Sequence, residues 1–242
     1  LIRDMAERFF RDDYGLDVRR KHQALPGGFC RDTWARFADM GWLALGIPED
    51  LGGIGGGTVD MAILMEAMGG GLAVEPFLAT VVLGGTLIRD GASPDIQADL
   101  LPKLAAGELH LSFAYSEAQS RYDLNDVRTR AKADGSGFVL DGAKTVALHA
   151  GTADKIAVTA RTSGAERDDG GITIFLVDAD APGLTVTDYP TVDGLRAGDV
   201  ALDGVRLGAD AVLGAVDGGL ALAETAIDRA AALVSAEAAG LM

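Results

Sequence analysis

His110-Leu111-Ser112-Phe113-Ala114-Tyr115-Ser116-Glu117 is the stretch on which the fold turns. Before it, apolar residues recur at helical spacing. Within it, Leu111, Phe113 and Tyr115 alternate with His110, Ser112 and Ala114, the period of a strand. Downstream, Val127, Thr129 and Ala131 alternate with Arg128, Arg130 and Lys132, and Ile156, Val158 and Ala160 with Ala157 and Thr159. Asp134-Gly135, Asp141-Gly142, Asp169-Gly170 and Asp203-Gly204 lie between such runs, and Asp-Gly favours the positive φ angles of tight hairpins. Many short strands with regular turn signals predict a β-barrel domain over 110–216.

Upstream, the pattern predicts an all-α domain over 1–109. Trp34, Phe37, Ala38, Gly41 and Trp42 fall at helical spacing, with Asp32 or Thr33 as N-cap. Gly46-Ile47-Pro48-Glu49-Asp50-Leu51-Gly52-Gly53 breaks that pattern as an ordered loop. Helical spacing resumes over 59–68 and 75–89, and Ser93-Pro94 opens another helix because Pro suits a first turn. Ile2, Met5, Ala6, Phe9 and Phe10 read as a helix already under way, without signal-peptide character, which suggests trimming at this end. After Gly214 the helix period returns. Leu220, Ile227, Val234 and Leu241 recur every seven residues among alanines, so 217–242 is expected to open a C-terminal four-helix bundle. Its stripe is expected to meet partners beyond Met242 or on another subunit.

Of the 242 residues, 48% are hydrophobic, enough for a real core, and the net charge is −15. Residues 1–36 hold eight Lys or Arg against six Asp or Glu, so the rest is more acidic still. That balance argues against nucleic acid and against an anionic membrane surface as partners. It leaves solubility, or an acidic face for a basic partner, as its meaning. No apolar run is long enough to span a membrane. Cys30 is the one cysteine, which fits a reducing, cytoplasmic compartment. A catalytic thiol would need an activating histidine, and only His22, His110 and His149 are on offer, so a structural Cys30 is the simpler reading.

Several motifs carry a family resemblance. Gly46-Ile47-Pro48-Glu49-Asp50-Leu51-Gly52-Gly53-Ile54-Gly55 resembles the Pro-Glu/Gly-Gly loop of acyl-CoA dehydrogenases. Phe113-Ala114-Tyr115-Ser116-Glu117 stands where that family has its Thr-Glu-Pro flavin segment. Leu140-Asp141-Gly142-Ala143-Lys144 resembles its Leu-Asn-Gly-x-Lys hairpin. Phe175-Leu176-Val177 with Pro182-Gly183, and Val205-Arg206-Leu207 with Leu213-Gly214, resemble its later strands. Ser120-Arg121-Tyr122-Asp123-Leu124 and Val192-Asp193-Gly194-Leu195-Arg196 look closest to a small-subunit-like branch similar to pimeloyl-CoA dehydrogenase. The resemblance covers nearly the whole chain.

It implies FAD as cofactor, an acyl-CoA substrate, an electron-transfer flavoprotein as partner, and a homo- or hetero-oligomer. In that chemistry a carboxylate takes the α-proton of the thioester and the β-hydrogen leaves as hydride. Phe113, Tyr115 and Ser116 fall on the flavin-contacting strand, and Ser116 keeps a hydroxyl where the family has Thr. Val146 and Leu148 fall on the family's Trp-x-Thr flavin contact and lack both the ring and the hydroxyl. Arg121 and Tyr122 fall on its Gly-Ser substrate contact, where Arg121 is either a phosphate ligand or a surface cation. His149 is either a donor to the flavin or a hydrogen-bonded structural residue. The family's base lies in most members beyond Met242; in one branch its place is Ala230, followed by Ala231 where Arg is usual. Glu224 and Glu237 match neither position, so no base is assigned. An active dehydrogenase, a non-catalytic subunit of a heteromer, and an oxidase or monooxygenase on the same scaffold all remain open.

Overall fold

The structure, a computed structural model, describes residues 2–242. The first helices, α1 (Ile2–Asp13), α2 (Leu16–Gln23) and α3 (Arg31–Asp39), bury an aromatic cluster. Phe9, Phe10, Tyr14, Phe37 and Trp42 meet with ring centroids from 4.8 to 6.2 Å apart, mostly edge-on as ring quadrupoles prefer. The Tyr14 hydroxyl donates to Glu75 Oε2 at 2.7 Å and His22 Nδ1 lies 3.0 Å from Glu75 Oε1. That buried carboxylate ties α1 and α2 to the turn after α4 (Thr58–Gly71).

The N-cap expected at Asp32 or Thr33 lies instead at Cys30. The Cys30 carbonyl already accepts the Trp34 N–H at 3.0 Å, and Thr33 is buried inside the first turn, where its hydroxyl does not cap. Ser93 does cap α6 (Pro94–Ala105), its Oγ accepting the Ile96 N–H at 3.4 Å with Pro94 at the first position. The helix expected over 75–89 is split. Leu78–Gly84 is wound as a π-helix before α5 (Gly85–Gly91). Such wide turns are rare and cluster near functional sites.

The sheet comprises β1 (Leu111–Ala114), β2 (Arg130–Asp134), β3 (Gly137–Leu148), β4 (Lys155–Arg161), β5 (Ile172–Asp178), β6 (Leu184–Pro190), β7 (Arg196–Gly208) and β8 (Val212–Leu213). Its order is β6-β7-β3-β2-β4-β5-β8, with β1 alongside β4. The expected barrel does not form, because β6 and β8 do not pair and the sheet stays open. Closure would need β8 to continue beside β6. It is two residues long, and at Gly214 (φ 79°) the chain turns away toward a helix. Pairing is mostly antiparallel, but β1 runs parallel to β4, and β2 meets β4 in parallel at one residue pair, Arg130 with Arg161. That narrow junction divides the sheet into halves, and Leu140, Val200, Leu202 and Val205 pack with Ile156, Val158, Phe175 and Val177 in a second core.

Three of the four Asp-Gly pairs are not tight hairpin turns. Asp134-Gly135 joins β2 to β3, and Asp169-Gly170 lies between β4 and β5. Asp141-Gly142 and Asp203-Gly204 face each other inside β3 and β7, where the register shifts between Leu140 and Gly142. Gly142 (φ 152°) and Gly204 (φ 64°) supply the positive φ of a bulge, and the Gly204 N–H donates to Asp141 Oδ1 at 2.9 Å. A bulge and a tight hairpin make the same demand on the backbone, so sequence alone does not separate them.

The last helix, α7 (Gly219–Leu241), packs on α4 of the same chain, and the described residues do not by themselves make up a four-helix bundle. Its buried face is Ala223, Ala226, Ala230 and Leu233, while Leu220 and Ile227 are half-buried and Val234 and Leu241 exposed. Small residues set that choice: a Cβ on Gly240 would stand 1.7 Å from the Glu66 carbonyl oxygen, and one on Gly69 1.9 Å from that of Glu237. The backbones touch, which a Leu stripe would prevent.

Candidate functional site

The residues aligned with the flavin contact are brought together. Ser112 Oγ donates to the Leu148 carbonyl at 2.8 Å and the Thr145 N–H donates to the Ser116 carbonyl at 2.8 Å, so 112–116 runs beside 145–148. β1 is fixed from behind by Thr80 of the π-helical turn, whose Oγ1 bonds both the N–H and the carbonyl of Leu111 at 3.2 Å. Phe113 turns into the core with its ring 5.0 Å from that of Tyr115. Tyr115 and Ser116 are half-buried, and among the described residues neither hydroxyl has a protein partner. Burial raises the Tyr115 phenol, which keeps it a donor.

The β3 side differs. Val146 sits at φ 56° and is 53% exposed, and Leu148 is half-buried. The Val146 N–H donates to Asp199 Oδ1 at 3.2 Å, and that oxygen also accepts the Tyr189 hydroxyl at 2.8 Å. A flavin therefore finds two unspent hydroxyls on the 113–116 segment and only apolar contact from Val146 and Leu148. The first half fits such a group; the second neither covers its ring nor donates to it.

Next along the chain, Glu117 is buried and heavily bonded. Its carboxylate accepts Lys144 Nζ at 2.7 Å, Gln119 Nε2 at 2.8 Å and the N–H groups of Arg128 and Thr129 at 2.9 and 3.0 Å. Burial opposes its charge, but the Lys144 ammonium and these donors outweigh burial and hold it well below the usual carboxylate range. Lys144 is wholly enclosed, and burial draws its pKa down against the pull of Glu117. Sequence reasoning missed this pair. Both residues stood in recognised motifs, but nothing in a linear chain shows that two charges 27 positions apart share one site.

Arg121 (φ 50°) and Tyr122 sit at the tip of the following loop, Tyr122 being 96% exposed. Tyr122, Asp123, Leu124 and Asn125 face Asp169 and the α7 residues Leu220, Glu224 and Asp228 across a cleft of about 420 Å³. Four carboxylates line it. Glu237 lies elsewhere, in an apolar groove of about 230 Å³ with Leu72, Leu195, Val234 and Leu241, where burial and then Asp193 raise its pKa. Ala230 is packed in the core at 7% exposure and Ala231 faces solvent. His149 is not the hydrogen-bonded structural residue of its second reading. It is buried at φ 53°, packs on Phe29 at 6.2 Å and has no protein hydrogen-bond partner on either ring nitrogen among the described residues. Burial draws its pKa down to about 4, so the ring is neutral at pH 7.

Comparison with known proteins places this geometry. Residues 1–108 match the acyl-CoA dehydrogenase N-terminal domain and residues 112–205 the acyl-CoA dehydrogenase middle domain. The acyl-CoA dehydrogenase FadE12 of Mycobacterium tuberculosis is 31% identical over 212 residues, which is 86% of this chain and 53% of that protein. The chain thus spans about half the length of this curated relative. Among solved structures, the Tcur3481-Tcur3483 steroid ACAD superposes with a TM-score of 0.88 at 27% identity, over 99% of this chain and 62% of that one. The ChsE4-ChsE5 complex from Mycobacterium tuberculosis does so with a TM-score of 0.81 at 27% identity, over 94% and 58%. No helix among the described residues is long and apolar enough to cross a membrane. With both domain models matched in order over most of its length, the chain belongs to the acyl-CoA dehydrogenase family.

Proposed function

We propose that this chain supplies the N-terminal helical and middle parts of a FAD-dependent enzyme that oxidises the α,β bond of an acyl-CoA thioester and passes electrons to an electron-transfer flavoprotein. The observation that carries this reading is the pair of unspent hydroxyls, Tyr115 and Ser116, beside Val146 and Leu148. These four residues, with the backbone at Phe113, would hold the flavin, which when bound supplies the hydride acceptor. Donors aimed from a rigid strand cost no reorganisation when charge shifts during the reaction. The buried Glu117–Lys144 pair and Thr80 keep that strand in place. Arg121 and Tyr122 would meet the substrate from the loop tip. No group of this chain is assigned as the base.

A second reading, a non-catalytic subunit of a heteromer, is favoured by specific observations. Ala230 is packed where one branch carries its carboxylate, and Val146 and Leu148 leave one side of the flavin position without a ring or a donor. The two structural relatives named above are each described with two components. The test is anaerobic mixing of the full-length protein with FAD and a panel of acyl-CoA thioesters, following flavin absorbance. Bleaching by the protein alone supports the enzyme. Bleaching only after adding a paralogous chain supports the heteromer.

A further inference from the structure

We propose that Arg161 is a positioning residue that sets the Arg121–Tyr122 loop for the CoA thioester, an inference that rests on the reading of that loop given above. Arg161 ends β4 at 2% exposure and makes no ion pair among the described residues. Its guanidinium donates instead to five backbone carbonyls: Nε to Val127 at 3.3 Å, Nη1 to Gly170 at 2.8 Å, and Nη2 to Asn125, Glu166 and Asp168 at 2.8, 2.9 and 3.1 Å. A buried charge is retained only where its donors are met, and a planar fork alone reaches acceptors in so many directions.

Those carbonyls belong to two loops, one before β2 and one between β4 and β5. Both wall the acidic cleft, through Asn125 and Asp169. The loops are also cross-tied: Asn125 Nδ2 donates to the Arg167 carbonyl at 3.0 Å and to Asp169 Oδ1 at 2.9 Å, and Arg167 donates to Asp126 at 2.7 Å. Arg121 and Tyr122 ride four and three residues ahead of Asn125. Among the described residues Arg121 has no carboxylate partner, and its neighbour Tyr122 borders the cleft that Asp123, Asp169, Glu224 and Asp228 line. A phosphate-bearing carrier approaching that cleft meets repulsion unless Arg121 is held at its mouth. Losing Arg161 would release the loop and leave the mouth acidic.

The experiment uses the full-length chain loaded with FAD, unmodified and as Arg161→Lys and Arg161→Met, with butyryl-CoA and octanoyl-CoA as probes. Equilibrium binding of each thioester is measured, then KM, kcat, the salt dependence of KM, and trypsin cleavage after Arg121. For Arg161→Lys, affinity should fall about tenfold, the worth of one hydrogen bond to a charged group. Its kcat should stay within about twofold. Cleavage after Arg121 should speed up, and the penalty should grow at low salt, where repulsion by the cleft is least screened. Arg161→Met should be worse in each respect. If it does not fold, Asn125→Ala removes the other tie of the same loop and should shift KM the same way. Thioester binding unchanged in Arg161→Lys overturns the proposal alone, as does a loss of kcat that simply tracks thermal stability with no salt dependence. No thioester binding by the unmodified protein overturns the functional reading, and the proposal with it.

Discussion

The Lys144 ammonium lies 2.7 Å from Glu117 Oε1 and 2.8 Å from Thr159 Oγ1, with no exposure to solvent. Among the described residues neither charge has another counter-ion within salt-bridge distance. Removing one partner of such a pair strands the other, which costs about 3–5 kcal/mol. Lys144→Met should therefore lower stability by that amount in urea unfolding. The double variant Lys144→Met with Glu117→Leu should lose clearly less than the sum of the single losses, because no charge is left buried alone. Additive losses would show that the two residues act separately.

The acid side of the stability profile should be governed by His149. Its folded pKa, about 4, lies below the ordinary 6.5 of an unfolded chain. Between those values the unfolded state binds a proton that the folded state refuses, so stability falls as pH drops from 6.5 toward 4 and the loss is complete below 4. Glu117 acts lower. Its pKa is depressed from 4.5 to about 2, so its stabilisation is full above 4.5 and fades as pH falls through 2. Chemical unfolding across pH 4–7 should show a slope in the wild-type protein that His149→Phe flattens. A slope unchanged in that variant would assign it to other groups.

Where α4 crosses α7, Gly240→Ala and Gly69→Ala should each destabilise by about 1–3 kcal/mol, since the added carbon would overlap a carbonyl that cannot move without shifting a helix. Gly170→Ala is the control. Its position has nothing within 4 Å and no positive φ, so the substitution should be neutral or slightly stabilising through the unfolded chain. Thermal melts of the three variants check the contrast.

These contacts show where sequence reading succeeds and where it stops. The change of period at His110 separates helices from strands because burial on one face imposes a local repeat that any window of the chain displays. The seven-residue stripe on α7 marks the face left half-buried or exposed, not the face that meets α4. Leu220, Ile227, Val234 and Leu241 are the large residues, but close helix packing selects the small ones, and that preference depends on the partner α4. Sheet closure was beyond reach, since it depends on β8 ending after two residues. The segments 113–116 and 146–148 were legible through motifs and do lie side by side. The fork of Arg161 was not, because its five acceptors are main-chain carbonyls, present in every sequence.

The chemistry gives the last prediction. This 242-residue chain, mixed with FAD and acyl-CoA thioesters without oxygen, should not bleach the flavin. Abstraction of the α-proton needs a positioned base, typically worth about 10²–10⁴-fold, and Ala230 presents only a methyl group within the core. Three carboxylates on α7 are the ones to test. Glu224 and Asp228 border the cleft beside Tyr122, one helical turn apart, whereas Glu237 opens into a separate groove with Leu72 and Leu195. If bleaching does occur, Glu224→Gln or Asp228→Asn should abolish it and Glu237→Gln should not. Loss of bleaching in Glu237→Gln alone would move the reacting thioester to that groove, away from Arg121 and Tyr122.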